Sequence, residues 1–206
     1  MRTLTYFVAT TLDGFIAGPD LADPTGSGGF WPIGEAYLDH IAQEYPETLP
    51  DAARRALGIT AAGTRFDTVL EGRHSYEVGL RAGVADAYPH LRHLVVSRTM
   101  TSAPDPAVKL IGDDPLGAVR RLKQTQGLGI WLVGGGELAG ALLPEIDELV
   151  LKVSSLTIGS GVPMFGSSAR FEPRHWKLTD STILDGVCFL TYARATPVGD
   201  PDGGRP

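Results

Sequence analysis

Apolar positions along the chain fall into short runs closed by glycine, proline or acidic residues, and a stretch of helical spacing follows most of them. The opening run TLTYFVATTL is rich in β-branched and aromatic residues and stops at Asp13-Gly14, a turn-forming pair, which predicts a first strand. A glycine- and proline-rich stretch follows. WPIGEAYLDHIAQEY then sets Tyr37, Ile41 and Tyr45 at helical spacing with Leu38 and Ala42 beside them, so a loop leads into an amphipathic helix. FDTVLEG and RHSYEVGL predict strand, turn and short helix, and HLVVSRT and VKLI predict two further strands. DDPLGAVRRLKQTQ opens on acids and a proline and closes on basic residues, as helices do. GIWLVGGGELAGALL repeats the order strand, glycine turn, helix. ELVLKVSSLTI, RFEPRHWKLTDSTI and GVCFLTYARA are three closing strands with no helical stretch between them.

Strands alternating with helices predict an α/β fold with right-handed crossovers and a mainly parallel sheet covered on both faces, and the closing strands predict an antiparallel edge. No repeat or linker divides the 206 residues, so one domain is expected over 1–195. The tail TPVGDPDGGRP has nothing to bury and is expected to be disordered over 196–206. Hydrophobic residues at 43% suffice for a core. The net charge of -6, with Lys and Arg scattered, gives no footprint for nucleic acid or an anionic membrane. No run approaches the roughly 18 apolar residues of a membrane span, and the first residues lack a secretory h-region. The lone Cys188 suits a reducing cytoplasm. A small-molecule partner is therefore expected.

The candidate chemistry sits at strand ends. In IWLVGGGELAG a strand ending on Val133 delivers Gly134, Gly135 and Gly136 into a helix that begins with Glu137 and Leu138. Lacking Cβ atoms, such a turn lets backbone approach a phosphate, and free amides at the helix start point at its charge. Two features exclude an ordinary Rossmann unit. The next strand ends on Ser154 and Ser155 where a ribose-binding acid is required, and too little chain follows for the remaining alternating units. The adenosine end of a dinucleotide must be held by earlier segments. Arg73, His74 and Ser75 begin a helix just after a strand, and Ser97 and Arg98 close another strand with a hydroxyl and a guanidinium suited to a 2′-phosphate.

With these pieces in order, the chain resembles the dihydrofolate reductase-like superfamily, in the branch of the riboflavin-biosynthesis reductase domain. The resemblance runs from Thr5 to about Arg194 through FVATTLDGFIAG, DTVLEGRHSYE, LVVSRT, WLVGGGELAGALL, DELVLKVSSLTIGSGVPMF and the closing strands. It implies a mixed, mainly parallel sheet of about eight strands flanked by helices, with NADPH across the strand ends. It puts the nicotinamide carboxamide near Ala9, Ile16 and Ala17, the phosphates on Gly72, Arg73, His74 and Ser75, and the 2′-phosphate on Ser97 and Arg98. Gly135, Gly136, Glu137 and Leu138 would cover the pyrophosphate and nicotinamide ribose. The Gly134–Gly135 peptide would be cis, and a homodimer is common among these relatives.

Dihydrofolate reductases carry a carboxylate in the helix after the first loop; here that helix offers Glu35 and Asp39, whose spacing equally suits a solvated face. Asp13 is a further candidate proton donor, although Asp-Gly is first a turn former. Trp31 and Phe165 are candidate walls of a substrate pocket. His40, His90, His93 and His175 lack metal-site spacing, and the single cysteine excludes the zinc pair of a deaminase half, so no metal is expected. The leading expectation is an NADPH-dependent reductase passing hydride to a flat unsaturated heterocycle, pterin-like or pyrimidine-like. The alternatives are a non-catalytic NADP-binding or regulatory protein and a ligand-free dimeric scaffold, for which the glycine turn is only geometry.

Overall fold

In the computed structural model, residues 1–25 and 29–195 are described; the tail expected at 196–206 lies outside the described residues. Among the described residues there are ten strands and five helices, all but three of them in the expected order. They are β1 (Leu4–Thr11), β2 (Phe15–Ala17), α1 (Glu35–Glu44), α2 (Asp51–Ala56), β3 (Phe66–Gly72), α3 (Arg73–Arg81), β4 (Arg92–Val96) and β5 (Lys109–Ile111). Then come α4 (Pro115–Lys123), β6 (Gly129–Gly134), α5 (Gly136–Leu142), β7 (Glu148–Ser154), β8 (Val162–Pro163), β9 (Trp176–Leu184) and β10 (Val187–Arg194).

Eight strands form one sheet in the order β5-β4-β3-β6-β1-β7-β10-β9. From β5 to β7 all neighbours are parallel. Of the three closing strands, β7 joins this parallel set, in register with β1 from Thr5↔Glu148 to Thr11↔Ser154, and only β10 and β9 form the antiparallel edge. The strand pattern explains the layering. Leu4, Tyr6 and Val8 of the central β1 face a core completed by Val119 and Leu122 of α4 and Leu138, Ala139 and Leu142 of α5. Phe7 points the other way, into a core with Val69, Trp131, Val150, Phe189 and, from α1, Ile41 and Tyr45. Alternation on a strand thus feeds both faces of a covered sheet.

Three elements fall outside the expectations from hydrophobic pattern. Helix α2 is only six residues long, and β2 and β8 form a two-stranded ribbon where loops were expected. The ribbon depends on backbone proximity rather than apolar periodicity: a Cβ on Gly161 would overlap the carbonyl of Ala17.

The buried polar groups are mostly paired. His93 of β4 is 2% exposed, and its two ring nitrogens meet Glu71 of β3 at 2.7 Å and Asp86 at 2.8 Å. The edges of Tyr76 and Tyr88 close around the ring. Burial opposes protonation of the imidazole, but the hydrogen bonds to Glu71 and Asp86 carry its pKa above the ordinary histidine value. Replacing His93 by Leu would leave two buried carboxylates facing each other. His93→Leu is expected to lower the unfolding free energy by about 3–5 kcal/mol, read from the urea midpoint at unchanged slope; a change below about 0.5 kcal/mol would show the network to be dispensable.

Candidate functional site

Strands β3 and β6 are direct neighbours, so the turns that end them abut. A Cβ on Gly72 would sit 3.4 Å from the Gly134 carbonyl and 3.5 Å from the Gly135 amide nitrogen, in contact with both. The three consecutive glycines have separate duties. Gly134 adopts φ +132°, a region open to glycine, and the Gly134–Gly135 peptide is cis. A Cβ there would be 3.8 Å from Ile16 Cδ1 and from the Tyr6 hydroxyl. Gly135 turns its open side toward Ser75, whose Oγ would be 3.8 Å from a Cβ. Gly136 is needed for packing: a Cβ would overlap the Pro163 carbonyl, and its own carbonyl accepts from the Gly166 amide at 2.9 Å.

These contacts narrow what the turn offers a ligand. The Glu137 carboxylate folds onto the amides of Ser167 and Ser168 at 2.8 and 3.1 Å and onto both hydroxyls. The Ser168 hydroxyl, then the Ser167 amide, hold its pKa below the ordinary range. Leu138 is in the core and Val133 packs against the opposite one. Their side chains are therefore committed elsewhere, and what Gly136, Glu137 and Leu138 present to the groove is backbone.

On the other side of the groove, α3 starts at Arg73 with no side-chain cap on its first-turn amides, whereas Asp114 caps α4 by accepting from the Gly117 amide at 2.8 Å. Arg73 donates to Glu77 at 2.7 Å and lies 2.8 Å from the His74 ring nitrogen, which fixes a cation at the helix start. One strand further out, the Ser97 hydroxyl oxygen accepts from the amides of Thr99 and Met100 at 3.2 and 2.9 Å, so its proton remains free to donate. Arg98 beside it is exposed and makes no ion pair among the described residues. Uncapped amides, close glycine backbone and two cations in line fit the phosphates of a dinucleotide with a 2′-phosphate. Ile16, which the resemblance puts at the nicotinamide end, neighbours Gly134.

The carboxylates considered as proton donors are placed otherwise. Asp13 accepts from Thr11 Oγ1 at 2.5 Å and from the amides of Ile158 and Gly159 at 3.1 and 2.8 Å; the Thr11 hydroxyl, then the Gly159 amide, hold its pKa low. It pins a loop and keeps its charge, which is the wrong state for donating a proton. Glu35 and Asp39 lie on the exposed side of α1, which turns Tyr37 and Ile41 inward. Phe165 packs on Tyr6, ring centroids 5.6 Å apart, within the core rather than against an open cleft.

Trp31 does line a cleft, together with Ala9, Pro32, Ile33, Tyr37, Ser154 and Lys152, enclosing about 70 Å³. Lys152 was not among the candidates. Its Nζ lies 4.1 Å from the Phe7 ring centroid, and burial pushes its pKa down to about 7. The sequence carried no signal for it: in ELVLKVS a lysine alternating with apolar residues suggests a solvated face, and only the placement of β7 between β1 and β10 brings it into the cleft. A second cavity, about 190 Å³ between Thr3, Arg65 and Glu148, lies at the opposite ends of the strands and has no part in this groove.

The fold agrees with comparison to known proteins. The family described as the RibD C-terminal domain matches residues 2–189. The chain belongs to that family. It is 28% identical over 166 residues to YwjB, an uncharacterized protein of Bacillus subtilis (strain 168), covering 80% of this chain and 83% of YwjB. It is also 28% identical over 177 residues to YyaP of the same organism, also uncharacterized, covering 80% of each. A solved structure from Shewanella sp. PV-4, provisionally named a riboflavin biosynthesis protein, superposes with a TM-score of 0.64 at 21% identity, covering 95% of this chain and 100% of that one. The RibD C-terminal domain fold seen here is of the dihydrofolate reductase-like class.

The division of labour among the glycines gives a stability prediction. Gly136→Ala forces the Pro163 carbonyl to move and is expected to cost about 1–3 kcal/mol in chemical denaturation. An unchanged midpoint would mean that the 163–166 segment does not pack on α5 as described.

Proposed function

We propose that this RibD C-terminal domain is an NADPH-dependent reductase that acts on a flat unsaturated heterocycle. The observation that carries this reading is the alignment of three strand ends, Gly72–Ser75, Ser97–Arg98 and Gly134–Gly135, into one groove running toward Ala9 and Ile16. When bound, NADPH supplies the hydride. The chain's own residues bind and orient: the first-turn amides of α3 and the Arg73 guanidinium take phosphate charge, and Arg98 with the Ser97 hydroxyl takes the 2′-phosphate. Gly135 keeps the groove open where a Cβ would project toward Ser75. Trp31 and Tyr37 offer the flat, water-excluding walls that a planar substrate requires.

A non-catalytic NADP-binding protein is the second reading, and one observation favours it: none of Asp13, Glu35 and Asp39 lines the cleft. Turnover separates the two readings. Titration of intrinsic fluorescence with NADPH and NADH tests their shared part. Saturable NADPH binding is expected, and Arg98→Ala should weaken it about tenfold or more while leaving NADH affinity unchanged. Failure of the wild type to bind either nucleotide at high micromolar concentration would refute both readings.

A further inference from the structure

The chain has four lysines, and Lys152 is the one that lies partly buried in a cleft without an oxygen partner among the described residues. Lys109 donates to the Pro106 carbonyl, Lys123 is held by Asp147 and the Glu145 carbonyl, and Lys177 is exposed. The elements packed around Lys152 supply rings and aliphatic groups instead of charge. Strand β1 gives Phe7 and Ala9, and β10 gives Phe189 directly across in register, with His40 edge-on to that ring, centroids 4.6 Å apart. Helix α1 gives Tyr37, 6.0 Å from Nζ to its ring centroid, and the segment before it gives Trp31, Pro32 and Ile33. The aromatic faces attract the cation, yet none of these groups carries a compensating negative charge.

A half-buried cation with that gap is completed by an anion from outside. We propose that Lys152 receives the substrate, and that the substrate is a planar conjugated molecule presenting an anionic oxygen, as a carboxylate, imide or enolate, to its Nζ. The shape of the cleft agrees. Its volume of about 70 Å³ admits a carboxylate or the edge of a ring but not a whole ring, so the charged end lies inside and the flat remainder against Trp31. Ala9, the register partner of Lys152, is also the strand residue assigned to the nicotinamide end, so the anchored molecule lies beside the groove. The inference rests on the proposed reductase reading only in calling the occupant a substrate; the anion site itself does not require it.

The test uses the full chain labelled with ¹³C only in lysine, so that four side-chain signals are followed through pH, with Lys152→Met to assign one of them. Benzoate is the probe, and benzamide its uncharged counterpart of the same shape. In the free protein the Lys152 signal is expected to titrate near neutrality. Saturating benzoate should raise its midpoint by about one unit, as a tenfold preference for the ammonium form requires, and benzamide should leave it in place. Lys152→Met and Lys152→Gln should each weaken benzoate binding about tenfold or more. The proposal is overturned if Lys152 does not titrate near neutrality, if benzoate does not move its signal, or if benzamide binds as tightly as benzoate. NADPH titrated into the same samples keeps the questions apart: benzoate binding without NADPH binding removes the reductase reading and leaves the anion site, and the reverse removes only the anion site.

Discussion

The groove depends on one constraint, the contact of backbone with backbone where β3 and β6 end. Gly72 approaches the Gly134–Gly135 peptide so closely that a Cβ on it would touch the Gly134 carbonyl at 3.4 Å. That contact exists because β6, late in the chain, inserts between β3 and β1 in the sheet. The insertion brings the uncapped start of α3 beside the glycine turn before α5, and it places Ile16, just after β1, against Gly134. Both turns then open on the same side of the sheet, at the carboxyl ends of parallel strands, where ligands of open α/β sheets bind.

A second consequence is the segregation of roles within short stretches of sequence. Gly134, Gly135 and Gly136 are chemically identical, yet one provides an unusual φ, one leaves open space toward Ser75, and one admits the Pro163 carbonyl. Glu137, adjacent to them, spends its charge on Ser167 and Ser168 and thereby fastens the segment that follows β8 to α5. On the opposite face of the sheet, Phe7, Tyr37 and Phe189 enclose Lys152. The proposed phosphate groove is thus lined by backbone and surface cations, whereas the cleft is built from aromatic side chains around a single amine.

Much of this architecture was legible in the residues. The units FDTVLEG-RHSYEVGL and GIWLVGGGELAGALL became β3-α3 and β6-α5 because a glycine that ends a strand and an amphipathic run that follows it act locally. The β2-β8 ribbon was not legible, since three residues paired with two carry no periodicity and are held by the close approach of Gly161 to Ala17. Asp13, Glu35, Asp39 and Phe165 were plausible by type, but type does not reveal direction: Asp13 turns to the amides of Ile158 and Gly159, α1 faces its acids outward, and Phe165 is taken by Tyr6. Lys152 was missed for the complementary reason. A lysine in an alternating strand suggests a wet face, and only the pairing of β7 between β1 and β10, with α1 above, removes that face from water.

The central claim is that the strand ends around Gly72, Ser97 and Gly135 act together as one dinucleotide groove. Hydrogen–deuterium exchange on the full chain with and without NADPH tests it most directly. The account predicts slowed exchange at Arg73–Ser75, at Ser97–Thr99 and at Gly135–Glu137 together, with no change around Thr3, Arg65 and Glu148 at the far ends of the strands. Protection confined to that far end, or to one of the three turns alone, would contradict it.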